Sequence, residues 1–314
     1  MFKRSVLTLT LASTLSVSAI ASAPQQKTSA PGYYRMMLGD VEVTAISDGT
    51  TELPVHQLLQ MDADKVREKL AEFYRQSPLE TSVNAYLIND GESLILIDTG
   101  AGSMFGASLG NLVRNIEAAG YSTDQIDEVY ITHMHSDHIG GLIDDGERVF
   151  KNATVRADKH DADYWLSKQQ MQQVPEAQQG GFKAAMKALD AYAEAGQFKP
   201  FVAGETLAGN IKSVEAYGHT PGHTMYRLDA GDQTLVFWGD IMHVAEVQFD
   251  QPQVTIAFDS NQDEARERRI KAYAEAEKEG YYVAGAHLPF PGVGQVKSDG
   301  DAYDWVPVNY SPMW

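Results

Sequence analysis

The chain has 314 residues, 43% of them hydrophobic, with a formal charge of −18 and no cysteine. That length supports one large core or two modest ones, and the acidity would repel a phosphate backbone, which excludes nucleic acid as a partner. Without cysteine there are no disulfides and no thiolate to act as nucleophile or metal ligand, so histidine and carboxylate are the ligating groups that remain.

The first residues read as an export signal. A basic start (MFKR), an apolar-to-small stretch (SVLTLTLASTLSVSAIA) and small residues at Ala21–Ala23 set its bounds at 1–23. The apolar run is too short and too rich in serine and threonine to span a membrane. The protein is therefore expected in the periplasm or secreted, with no membrane partner, as one mature domain over 24–314. Loss of Lys3 and Arg4 takes the charge to −18 − 2 = −20.

Residues 24–33 form a flexible entry segment. Strand-like runs follow at 33–38, 41–47, 82–89 and 93–100. Between them 62–76 has helical spacing, with Asp62 or Asp64 as its cap. The run GASLGNLVRNIEAAGY, from residue 106, predicts a helix that ends at Gly120 and leads through 123–126 into a strand at 127–132. In the second half, 153–157 is a short strand and 158–196 is largely helical. Strands are predicted at 211–219, 224–230, 234–240 and 281–287, and a strong helix at 261–280. The alternation gives an α/β domain whose strands end in histidine or aspartate, and ligands commonly sit at such edges.

The decisive stretch is VYITHMHSDHIGG, Val129 to Gly141. Just past a strand, residues i and i+2 can point to one side, so His133 and His135 can grip one cation. Asp137 and His138, at the turn, can face a second one. Imidazole and carboxylate suit zinc and similar divalent ions. Gly140 and Gly141 are expected to let the backbone turn tightly. Three further stretches place His219 and His223 (YGHTPGHT), Asp240 (VFWGD) and His287 (YYVAGAH) where strands meet loops. Together they offer enough ligands for two metals.

The order H-x-H-x-D-H, G-H-T-P-G-H, G-D, A-H resembles the dinuclear hydrolases of the metallo-β-lactamase fold. The resemblance implies an αββα sandwich holding two divalent ions, zinc by family habit. By it, His133, His135 and His219 hold one metal, Asp137, His138 and His287 the other, and Asp240 bridges them. His223 then orients its loop, and Asp98 is a structural carboxylate behind the ligands. Longer stretches, among them TSAPGYYRMMLGDVEVTAISDGT, PLETSVNAYLIN, GHTPGHTMY, VQFD and WVPVNY, resemble methyl parathion hydrolase and its lactone and aryl-ester hydrolase relatives. That narrower resemblance implies export, a homodimer and a small-molecule substrate.

The chemistry implied is attack on a carbonyl or phosphoryl centre by a metal-activated water, with Asp137 carrying a proton to the leaving oxygen. The resemblance places Leu58, Phe105, Trp165, Phe182, Ile256 and Phe258 around an apolar substrate pocket. His243, three residues past Asp240, is a further catalytic or substrate-contacting candidate. Methyl parathion hydrolase differs at the positions of Leu58, His243, Ile256 and Phe258 and in length just before Gly180. Those departures favour a lactone or aryl ester, dihydrocoumarin-like, over a phosphotriester, with acyl-homoserine lactones third. A metal-binding protein without turnover is the alternative of another class.

Overall fold

The computed structural model describes Ala23 and residues 25–311, so the export signal read at 1–23 lies outside the described residues except at its last position. From Pro31 onward the chain groups into a single unit. Its elements in chain order begin with β1 (Tyr33–Leu38), β2 (Val41–Leu53), α1 (Val55–Leu58), α2 (Ala63–Glu72), β3 (Leu79–Asn89) and β4 (Leu94–Ile97). Next come α3 (Leu112–Ala118), β5 (Glu128–Tyr130), α4 (Ser136–Ile139), a short hairpin of β6 (Ile143–Asp144) and β7 (Glu147–Arg148), and β8 (Thr154–Arg156). They are followed by α5 (Lys159–Trp165), α6 (Lys168–Met171), α7 (Gln179–Glu194), β9 (Lys212–Glu215), β10 (Thr224–Ala230) and β11 (Gln233–Gly239). The last are α8 (Ala245–Gln248), α9 (Gln262–Glu279), β12 (Tyr282–Gly285), β13 (Val293–Asp299) and β14 (Ala302–Pro307).

Two six-stranded sheets are built, in the orders β1-β2-β3-β4-β5-β8 and β14-β13-β12-β11-β10-β9. Side chains alternate across each strand, so every strand feeds two layers. Tyr86, Ile88, Ile95 and Ile97 of the first sheet meet Tyr226, Leu228, Phe237 and Ala284 of the second in a buried core between the sheets. Leu87, Leu96 and Val129 point the other way and pack on Ile116 of α3 and on Phe182 and Leu189 of α7. On the far side Val236, Trp238 and Val283 pack on Ala272, Tyr273 and Ala276 of α9. The result is the expected αββα sandwich.

Strand direction decides where function sits. β4, β5 and β8 run parallel to one another, as do β11 and β12, while β10 is antiparallel to β11. The segments after β4, β5, β11 and β12 and the one before β10 therefore emerge at the same ends of their sheets. All but the one after β4 carry candidate ligands, and that one carries Asp98.

Several local details depart from the sequence reading. The helix expected from residue 106 begins only at Leu112, because Gly106 and Gly110 adopt φ +85° and +82°. The buried Asp48 carboxylate instead gathers the amides of Ala101, Gly110 and Leu112 at 2.9–3.1 Å. The helical region from 158 is broken into α5, α6 and α7, with Pro175 between the last two. The β13–β14 pair was not anticipated. Asp62, not Asp64, caps α2, accepting from the amides of Asp64 and Lys65. The paired glycines serve close approach rather than a tight turn: Gly140 has φ −63°. A Cβ on Gly140 or Gly141 would lie 2.1 Å from the Ala101 carbonyl or 2.0 Å from that of Thr99.

Candidate metal centre

All seven ligand candidates converge. His133 and His135 leave β5 on alternate positions, so both face the centre while Met134 between them turns into the core. Asp137 and His138 sit in the single turn of α4. His219 precedes β10, Asp240 directly follows β11, and His287 lies two residues past β12.

Their ligating atoms form two adjoining groups, His133, His135, His219 and Asp240 in one, Asp137, His138 and His287 in the other. In the first, His135 Nδ1 lies 3.0 Å from both His133 Nε2 and His219 Nε2. Asp240 Oδ2 is 3.2 Å from His219 Nε2 and 3.5 Å from His133 Nε2. In the second, Asp240 Oδ1 is 3.2 Å from both His138 Nε2 and His287 Nε2. Asp137 Oδ2 stands 3.6 and 3.5 Å from the same two nitrogens. Ligands about 2.05 Å from a tetrahedral zinc are separated by about 3.3 Å, so these spacings fit. His138 Nε2 and Asp240 Oδ1 are buried without any hydrogen-bond partner. Buried polar atoms rarely stay unpaired, and divalent cations would satisfy both.

The far nitrogens are held from behind, which fixes each ring's orientation and its ligating atom. His138 Nδ1 meets Asp98 Oδ2 at 2.8 Å, and Asp98 also accepts the Thr132 amide and hydroxyl. His219 Nδ1 meets Asp259 Oδ1 at 2.8 Å, and His287 Nδ1 donates to the Ser82 carbonyl at 2.9 Å. Burial lowers His135 to about 3, leaving a neutral, ligand-ready imidazole. His223 is not among the metal-facing groups. Burial lowers it to about 3, its Nε2 accepts the Asp240 amide at 2.9 Å, and its Nδ1 donates to the Ala216 carbonyl.

The model of the metallo-beta-lactamase superfamily matches residues 79–287, from the start of β3 to the ligand candidate His287. The chain belongs to that superfamily. At 38% identity it matches the crystal structure of the hydrolase AbOPH in the beta lactamase superfamily, with a TM-score of 0.87 over 91% of this chain and 100% of that one. At 25% identity it matches AidC, a dizinc quorum-quenching lactonase in complex with a product, with a TM-score of 0.83 over 90% and 99%. A probable metallo-hydrolase of Mycobacterium tuberculosis is 22% identical over 177 residues, 50% of this chain and 56% of the relative. The chain thus spans about half the length of the curated relatives it matches. Its His/Asp cluster is a donor set suited to divalent metals.

Beside the centre of this superfamily member lies a cavity of about 240 Å³. Leu53, Phe105, Leu109 and Phe258 supply its apolar wall, and Asp137, Asp240, His243 and His287 its polar floor. His243 and His287 also border a smaller cavity of about 160 Å³ that carries Arg75, Glu80 and Glu246.

Of the pocket candidates, Phe105 and Phe258 line this cavity, and four others do not. Ile256 is fully buried with Val55, Leu59 and Val244, and Leu58 packs half-buried on that cluster. Phe182 is buried in the core under α7, 4.8 Å from the Trp165 ring. Trp165 stands behind His135, edge-on at 5.4 Å, and supports that ring from outside the cavity. The physical reason is common to the four: helix and loop packing consumes their apolar surface before the cavity can.

Three important residues escaped the sequence reading. Asp259 anchors His219. Arg269, buried on α9, donates to the carbonyls of Ile241 at 2.6 Å and Val254 at 2.7 Å and faces Asp259 at 3.6 Å. Asp161 of α5 is fully buried beneath the ligand loops. Only the Arg269 position carried a signal, being a charge on the otherwise apolar inner face of a predicted helix.

Proposed function

We propose that this chain is a dinuclear-metal hydrolase that opens lactones or cleaves aryl esters of the dihydrocoumarin kind. The observation that carries the reading is the aromatic-walled cavity ending on Asp137, Asp240, His243 and His287. A flat aromatic lactone is apolar except at its ester, so it suits an apolar wall over a polar floor. The resemblance to methyl parathion hydrolase and its lactone and aryl-ester relatives supports the substrate class. The likeness to AidC, a quorum-quenching lactonase, supports lactone chemistry and makes acyl-homoserine lactones a further reading. Phosphotriesters of the methyl parathion type are the second reading, against which His243 and Phe258, the two departures that line the cavity, count.

Two divalent cations, zinc by the donor set, would supply an acidified water and polarise the substrate's carbonyl. The chain's own residues do the rest. His133, His135 and His219 hold one side of the centre and His138 and His287 the other, with Asp240 spanning both. Burial would raise the Asp137 carboxyl, but His138 and His287 override it and hold it below its usual value. Asp137 is therefore ionised on the cavity floor, able to take a proton and deliver it to the leaving phenolate oxygen. Burial lowers His243 to about 4, so its ring is neutral, donating from Nε2 to Asp240 Oδ2 at 3.1 Å. Its Nδ1 is then a buried acceptor without a partner, so the ring has no proton to give the leaving group and shapes the cavity floor instead.

Parallel initial rates on dihydrocoumarin, an acyl-homoserine lactone and methyl parathion test the substrate class, and dihydrocoumarin should lead. A lead for methyl parathion would refute it. His243→Leu should lower the ratio of lactone to phosphotriester rates, because the side chain lines the floor of the cavity. An unchanged ratio would remove His243 from substrate choice. Turnover lost on chelation and restored by added metal separates the enzyme from a binding protein. Export and pairing as a homodimer belong to the same proposal, resting on residues 1–23 and on the resemblance. The mature N-terminus and the sedimenting mass check them.

A further inference from the structure

Asp161 contacts neither the cavity nor any ligand side chain, yet its carboxylate joins the two loops that supply the first metal group. Its Oδ2 accepts the Met134 amide at 2.8 Å, from the peptide between His133 and His135. Its Oδ1 accepts the Gly222 amide at 2.6 Å, from the loop that runs from His219 to His223. The side chain is completely buried on α5, whose N-cap is Asp158. The approach is too close for a larger residue at 222: a Cβ there would lie 2.4 Å from the Asp161 amide nitrogen and 3.0 Å from its Cβ. Charge-assisted bonds to backbone amides are the strong kind, and here two of them converge on one buried carboxylate.

We infer that Asp161 is a positioning residue that sets the distance between the His133–His135 pair and His219, and so the affinity of the first metal group alone. The second group has its own support. Asp98 holds His138 and Thr132, and the Ser82 carbonyl holds His287, and neither involves Asp161. Asp161 therefore acts on one of two adjacent sites, a selectivity that general packing damage would not reproduce.

The inference rests on the two-metal reading, and the test separates them. Zinc dissociation is measured by chelator competition on the full mature chain, in wild type and in Asp161→Asn. Asparagine keeps the size but can accept only one of the two amides and turns its own N–H groups toward the other. One of the two dissociation steps should weaken about 10–100-fold while the other stays within error, the range expected for outer partners of a metal site. In a His138→Ala background, where only the first group can bind tightly, adding Asp161→Asn should weaken the remaining step by the same factor. Asp161→Ala, which removes both acceptors without offering an amide, should repeat the selective effect. Equal weakening of both steps, no weakening, or failure of both Asp161 variants to fold would overturn the inference. Wild type binding fewer than two equivalents would fail the two-metal reading, and the inference with it.

Discussion

Replacing Asp240 with alanine is expected to lower kcat/KM on the best lactone by at least about 10³-fold, equivalent to about 4 kcal/mol of transition-state stabilisation. Its two oxygens are divided between the two groups: Oδ2 faces His219 and His133, and Oδ1 faces His138 and His287. Removing a group that supports one ligand from behind costs about 10–100-fold, and Asp240 is a direct neighbour of four ligands. Charge matters as much as reach. Burial would raise the carboxyl, but His287, His138, His133 and His243 hold it well below the usual carboxylate range. Asp240→Asn keeps the shape and loses the charge, so it should fall nearly as far. Metal content and circular dichroism of each variant distinguish a lost site from a lost fold. A folded Asp240→Ala protein that keeps two metal equivalents and more than about a tenth of the wild-type rate would refute the bridging role.

The same residues show what a sequence reveals and what it hides. His133, His135, Asp137 and His138 were legible because local geometry at a strand end places them together over six residues. His219, Asp240 and His287 were legible because each closes or opens a strand, and strands in such a sheet end at a shared edge. Asp161 and Asp259 follow no spacing rule. Their roles arise from contacts 27 and 40 residues away in sequence, and an isolated aspartate on or before a helix looks like a cap. The pocket divided along the same line. Phe105 and Phe258 stay half-exposed and reach the cavity, whereas Ile256 and Phe182 are absorbed by cores that only the assembled helices define. The overestimated helix before Leu112 failed for a related reason: Asp48, more than fifty residues earlier, captures its amides.

Stripping divalent cations is expected to lower Tm by about 8–16 °C and to reverse the pH dependence of stability. A cation at 1,000 times its Kd that binds only the folded state contributes about 4 kcal/mol. At about 2.1 cal/mol/K per residue, each kcal/mol moves Tm of a chain this size by about 1.5 °C, so loss of two equivalents, about 8 kcal/mol, gives about 12 °C, within that range. The pH effect follows from the histidines left behind. Burial alone would lower His219, but its hydrogen bonds to Asp240 and Asp259 raise it to about 9, against about 6.5 in the unfolded chain. A folded-state pKa above the unfolded one gives stability that is complete below about 6.5 and lost as pH rises through about 9. His138 and His287 act in the same direction. In each, burial lowers the pKa but the carboxylates, Asp240 foremost, override it. Metal-free Tm should therefore fall between pH 6.5 and 9. In the loaded protein the same nitrogens must be deprotonated to ligate, so rising pH favours binding and Tm should hold or climb across that window. Thermal scans at several pH values, with and without chelator, read both slopes. A metal-free curve that stays flat would contradict the charged His219–Asp259 pair, and a Tm indifferent to chelation would contradict a metal centre that stabilises the fold.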